Sequence, residues 1–107
     1  MTVSQPYKII YAVQVKAHLN AIERRHHTLI RYTIEDQLQF EPTVETRNRK
    51  PLTRLVEFEA DWEIRFGPNN RFRVFYEVNE ADREVYIIAI GVKQRNKVLI
   101  AGEEIDL

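Results

Sequence analysis

The sequence has no cysteine, which removes disulfide bonding and thiol chemistry and fits a reducing cytoplasm. No apolar run approaches the ~20 residues that a membrane-spanning helix needs, so no membrane partner is expected. The opening segment MTVSQPYKIIYAV lacks a basic start, a long apolar stretch and a cleavage site, and reads as carrying no secretory signal. Repeats, low-complexity segments and linkers are also missing. With 107 residues, 44% apolar and 30% charged, the chain is expected to form one globular domain over 1–107.

Metal and nucleophile chemistry find little support. His26 and His27 are adjacent rather than four apart, and with His18 they make a poor ligand set. No Gly-rich phosphate loop and no catalytic triad is recognisable. No metal and no cofactor are expected.

Excess charge of one sign is absent too. Sixteen basic residues balance sixteen acidic ones, which ordinarily argues against a nucleic-acid binder. The average conceals segregation, however. Arg47, Arg49, Lys50 and Arg54 form one acid-free run, Arg65, Arg71 and Arg73 a second, and Lys93, Arg95 and Lys97 a third. Acids gather between them, and charge separated in this way builds local fields at zero net charge. Charges that merely alternate around turns would give the same string, so the pattern alone leaves both readings open.

Apolar periodicity supplies the elements. Residues 7–13 alternate as a strand. Val15, Leu19 and Ile22 recur at helical spacing and end near 24–26. A second helical pattern, Ile30, Ile34 and Leu38, stops before Pro42. Two such short helices should form a hairpin and must bury their apolar stripes elsewhere. Residues 41–52 are polar, contain two prolines and read as a long loop. Strands follow at 62–66, 71–78 and 84–92, separated by turn residues at 67–70 and 79–82. The tail, 98–107, is expected to add at most a short strand. The fold class is therefore α+β: an N-terminal strand, a two-helix hairpin, then a mainly antiparallel sheet of three further strands.

Register follows from burial. Trp62, Ile64 and Phe66 share one strand face, and Phe72, Val74 and Tyr76 share another. Both faces need the helices, and a one-residue slip would send one set to water. The opposite face then carries Arg65, Arg71 and Arg73, with Arg65 directly across from Arg73 at a Cβ separation of about 5 Å. Like charges so opposed need relief from a carboxylate, Glu63 or Glu77, or from a visiting anion. If Tyr86, Ile88, Ile90 and Val92 face the helices, Ala89, Gly91 and Lys93 join the arginines, and the two small residues leave a shallow depression. Guanidinium groups around such a depression suit a phosphodiester, and Phe75 on the same face suits stacking on a base. A solvated cationic face that discourages edge-to-edge aggregation is the competing interpretation.

The strand motifs Trp62-Glu-Ile-Arg65-Phe, Phe72-Arg73-Val-Phe-Tyr76-Glu-Val and Ile88-Ala-Ile-Gly91-Val-Lys93, in this element order, resemble the RelE/ParE superfamily of bacterial toxins over nearly the whole chain. The resemblance implies the toxin of a type II toxin–antitoxin pair, partnered by a cognate antitoxin, working in the cytoplasm and touching DNA only through that antitoxin. RelE-like members are mRNA endoribonucleases that inhibit translation. They cut mRNA in the ribosomal A site by attack of the RNA 2′-hydroxyl on the adjacent phosphate, leaving a 2′,3′-cyclic phosphate. By motif, the resemblance assigns catalytic roles to Arg73, Arg65 and Lys93, with Arg95 as the alternative to Lys93. It leaves Arg47, Arg49, Lys50, Arg71, Phe75 and Arg95 as substrate-binding candidates. On that assignment, removing Arg73 should abolish activity and leave the fold intact. Two departures stand out: no Tyr or His follows Tyr86, leaving acid–base work to Lys93, Glu63 or Glu77, and the chain is neutral overall. ParE-like members share the fold and poison DNA gyrase without cutting RNA, and a relative that only binds its antitoxin is a third alternative.

Overall fold

The computed structural model describes residues 5–53 and 60–105. Arg54, part of the first basic run, lies outside them. In chain order the elements are β1 (Lys8–Tyr11), α1 (Val15–Asn20), a 3-10 turn (Arg24–His26), α2 (His27–Leu38), β2 (Arg49–Pro51), β3 (Trp62–Phe66), β4 (Phe72–Asn79), β5 (Glu84–Gln94), β6 (Lys97–Ile100) and β7 (Glu103–Ile105). One sheet runs β2-β3-β4-β5-β6-β7, antiparallel throughout, with β1 added in parallel to β5. The α+β class and the antiparallel sheet agree with the sequence reading, but the sheet is larger than expected. The 41–52 loop contributes β2, and the tail folds into the β6–β7 hairpin. Among the described residues, no helix is long and apolar enough to cross a membrane.

The β3–β4 register is the one the parity argument requires: Trp62 opposes Tyr76, Ile64 opposes Val74, and Arg65 opposes Arg73. On the helix side Ile64, Phe72, Val74 and Tyr76 join Ile22, Ile30, Ile34 and Leu38 in the main core, with Leu19 and Trp62 packed at its margin. The helical hairpin forms, although α1 ends at Asn20 and Ile22 reaches the core from the connection that follows.

β5 departs from simple alternation. Its pairing with β4 shifts between Phe75, opposite Ala89, and Tyr76, opposite Ile87. Ile88 is thus an extra residue, a bulge that reverses parity. Val85 and Ile87, rather than Tyr86 and Ile88, therefore enter the main core with Ile90 and Val92. Along its other edge β5 pairs with β1 at Glu84–Ile87 and with β6 at Val92–Gln94, so a gap opens between them. Helix α1 fills it. The Gln14 side chain donates to the Ile88 carbonyl at 3.1 Å, and the Ile90 N–H donates to His18 Nδ1 at 3.2 Å. Two side chains four apart thus replace the missing ladder partners of a central strand.

The opposite sheet face is closed rather than open. Phe75, Ala89, Val98 and Ile100 form a second core, with Leu52, Ala60 and Ile105 packed against it. A Cβ at Gly91 would lie 3.0 Å from the Leu99 carbonyl oxygen and 3.1 Å from Val98 Cγ1 and Ile100 Cγ1. The small residues of β5 admit β6 at close range, so the anticipated depression is occupied.

Replacing Ile64 or Val74, both essentially without solvent exposure, with Ala should destabilise by about 2–4 kcal/mol in urea unfolding; a change below about 0.5 kcal/mol at both sites would contradict this core. His18 gives a pH prediction. Burial lowers its pKa below the ordinary 6.5, consistent with a neutral ring whose Nδ1 accepts from Ile90. The unfolded chain then binds this proton more readily than the folded one. The stability gained is complete above about pH 6.5 and is lost as pH falls through the lowered value. Glu23, Glu103, Glu104 and Arg71 line the clefts beside the ring, but burial is the cause of its lowered pKa. His18→Asn should flatten the fall in melting temperature between about pH 7 and 5.

Candidate anion-binding site

The β3–β4 hairpin turns at Gly67-Pro68-Asn69-Asn70. Gly67 has φ +81°, and a Cβ there would lie 2.7 Å from Phe72 Cδ2, so glycine is required by both conformation and space. Asn69 and Asn70 also take positive φ, which Asn tolerates better than most residues. This turn fixes Arg65 opposite Arg73 on the face away from the helices.

The two arginines converge on one carboxylate. Arg65 Nε donates to Glu63 Oε1 at 2.8 Å, and an Arg73 NH1 nitrogen reaches Glu63 Oε2 at 3.4 Å. Arg73 Nε also donates to the Asn70 carbonyl at 3.1 Å. Glu63 and Arg73 are 3% and 6% exposed, whereas the Arg65 side chain is 43% exposed. Burial pushes the Arg73 pKa down from its ordinary value. The Glu63 carboxylate opposes that fall, and the Arg65 charge adds to it. Of the two carboxylates considered from sequence, Glu63 is the one that relieves the opposed arginines. The Asn70 carbonyl had no sequence signal.

A second cationic group lies at the adjoining end of the sheet. Arg71, Lys93 and Arg95, with Pro68 and Asn69, line an open pocket of about 280 Å³. The Lys93 N–H donates to the Arg71 carbonyl at 2.7 Å, holding the two backbones side by side. Arg95 sits at the tip of the β5–β6 hairpin in the left-handed region, at φ 57°, where a long side chain is uncommon. The pocket is therefore floored by a tight turn and walled by three cations.

Several sequence candidates take different positions. Phe75 is fully buried in the second core, so it does not present a ring for base stacking; β6 and β7 cover it. Arg49 is 3% exposed and faces away from the other arginines, opposite Ile64 in register. Its guanidinium donates to the Val44 and Gln37 carbonyls and to Gln37 Oε1 at 2.9–3.0 Å, tying the 41–48 segment to the end of α2. That burial leaves it out of the cationic surface of the opposite face. Lys50 lies opposite Glu63 on the arginine face but pairs with Glu45 at 3.3 Å. Arg47 is exposed. Among the described residues, no group of three or more His, Asp or Glu side chains is placed to hold a metal ion.

Solved structures supply one comparison. A chain of the toxin–antitoxin complex RelBE2 from Mycobacterium tuberculosis superposes with a TM-score of 0.68 at 20% sequence identity, covering 87% of this chain and 98% of that one. The fold is RelE-like. No family model matches the sequence, and no curated protein matches it significantly.

The buried network changes what Arg73 can test. Arg73→Ala leaves Glu63 buried and partly uncompensated, and should cost about 3 kcal/mol in urea unfolding. Arg65→Ala, at the exposed end, should cost no more than about 1 kcal/mol. Removing both charges with Glu63→Leu and Arg73→Met should cost less than Arg73→Ala alone. A double variant as unstable as the sum of its single variants would show that the two groups are not coupled.

Proposed function

We propose that this chain is the toxin of a type II toxin–antitoxin pair and acts as an mRNA endoribonuclease that blocks translation. The observation that carries the reading is the pocket walled by Arg71, Lys93 and Arg95, on a fold shared with a chain of a toxin–antitoxin complex. Three cations around a shallow, water-accessible site suit a polyanion, and two or three of them can contact one phosphate and its neighbours along a strand.

The chemistry asks little of the protein beyond placement and charge. The RNA 2′-oxygen attacks the adjacent phosphorus, the bond to the 5′-oxygen breaks, and the products are a 2′,3′-cyclic phosphate and a 5′-hydroxyl. Negative charge accumulates on the non-bridging oxygens, where Arg65, Lys93 and Arg95 stabilise it. Arg73 acts through Glu63 and the Asn70 carbonyl: it holds the hairpin and neutralises the carboxylate that orients Arg65. Both Glu63 oxygens are engaged by arginines, which makes it a poor base. The 2′-hydroxyl proton passes to water, and the 5′-oxygen is protonated by water or by the Lys93 ammonium. The ribosome is the natural place for mRNA to be presented in the required in-line geometry. An antitoxin with an acidic or amphipathic segment would silence the protein by covering the same cations.

The lack of Tyr or His beyond Tyr86, together with the zero net charge, favours a second reading, in which the same face binds a protein target such as DNA gyrase and no RNA is cut. Induced expression with mapping of transcript 5′ ends separates the two. Cuts inside translated codons are expected, and Lys93→Ala and Arg65→Ala should lower the cutting rate by roughly 10²–10³-fold with little change in melting temperature. Intact transcripts accompanied by a DNA-damage response would replace the ribonuclease reading with gyrase inhibition. Harmless expression without any antitoxin complex would remove the toxin reading altogether.

A further inference from the structure

The cationic pocket has a neighbour. Between the end of α1 and the β5–β6 hairpin lies a cleft of about 200 Å³, with an apolar floor that includes Ile22, Val92 and Leu99 and a polar rim that includes His18, Glu23 and Gln94. Arg71 lines both this cleft and the cationic pocket. A hollow of about 300 Å³ lined by Gln94, Arg95, Lys97 and Leu99 completes the connection around the hairpin tip. The cleft and the pocket are thus two parts of one surface that shares an arginine wall. Of the strand motifs only the third reaches the cleft, through Ile90 and Val92; the rest of its lining comes from α1 and the connection after it, from Arg71 and Gln94, and from the 99–102 segment.

We infer that this cleft is a nucleobase subsite, receiving the base of a nucleotide whose phosphate lies among Arg71, Lys93 and Arg95. The inference rests on the RNA reading above and adds a place where sequence preference is set. A base requires an apolar surface for its faces and both donors and acceptors for its edge, and the cleft supplies each. The Glu23 carboxylate, paired through Oε2 with Arg25 at 3.0 Å, accepts with its other oxygen, and the Gln94 amide donates and accepts. His18 contributes a donor: with Nδ1 accepting from the Ile90 N–H, the neutral ring carries its proton on Nε2. A purely apolar side chain from a protein partner would use the floor, but would leave this rim unpaired and would have no use for the adjoining cations. The nucleotide uses both halves of the surface.

The test compares probes on the full-length chain by isothermal titration or by NMR shift mapping. Adenosine 5′-monophosphate should bind about tenfold more tightly than inorganic phosphate, the gain expected from burying roughly 60 Å² of base. Ala21→Phe, at an exposed position on the cleft rim, should bring the nucleotide down to the affinity of phosphate, with phosphate binding and melting temperature unchanged. Gln94→Ala should alter the ranking of the four nucleoside monophosphates and leave phosphate untouched. Equal affinities for nucleotide and phosphate in the unaltered chain would overturn the subsite while leaving the phosphate pocket standing. If neither probe binds, both the subsite and the RNA reading fall. If Ala21→Phe spares nucleotide binding but blocks assembly with an antitoxin, the cleft belongs to a protein partner and the inference is wrong.

Discussion

A central strand has two edges, and every hydrogen-bonding group along both must find a partner. In this chain β5 carries that constraint for the whole molecule. One edge is paired with β4 along its length, and the other is divided between β1 and β6. The division creates a short unpaired interval, and the start of α1 is placed to answer it with Gln14 and His18. The bulge at Ile88 belongs to the same device. It turns Val85 and Ile87 toward the helices while leaving Ala89 and Gly91 on the far side to receive β6.

The far face combines two unlike environments. Near β6 it is apolar and dry. Toward the β3–β4 turn it becomes ionic, with Glu63 between Arg65 and Arg73. Burying such a network rarely adds net stability over an apolar replacement, because desolvation offsets much of the attraction. What it does provide is orientation. Arg73 is locked by two partners and Arg65 by one, so Arg65 keeps a partly exposed guanidinium at a defined place on this face. A neutral chain thereby carries a local cationic surface without an overall positive charge.

The parts legible in the sequence were those in which local pattern and burial agree. The shared parity of Trp62, Ile64 and Phe66 with Phe72, Val74 and Tyr76 settled the β3–β4 register, and with it the opposition of Arg65 and Arg73. The helical stripes at Ile22, Ile30, Ile34 and Leu38 identified the facing layer. The β5 bulge could not be read, because Val85 to Ile90 is apolar on both faces and either parity is chemically acceptable. The burial of Phe75 depends on Val98, Ile100 and Ile105, which lie more than twenty residues away in a tail with only weak strand character. Arg49 looked like one member of a basic run; only the tertiary approach of Gln37 and Val44 separates it from its neighbours. For the candidate site, the basic residues were visible one by one, but their division between the buried ionic network and the open pocket is set by the turn at 67–70 and by the β5–β6 hairpin.

The second core has a consequence for synthesis. Two of its members, Val98 and Ile100, come from β6, and Ile105 from β7 packs on it, so it forms only after residues 97–105 have been synthesised. Before that moment Phe75 and Ala89 lack their cover and β5 lacks its outer partner. Lys93 and Arg95 have no fixed place relative to Arg71. The main core, built from residues that emerge earlier, can assemble without creating the cationic pocket. The cationic pocket is thus completed by the β5–β6 hairpin and the second core, later than the main core.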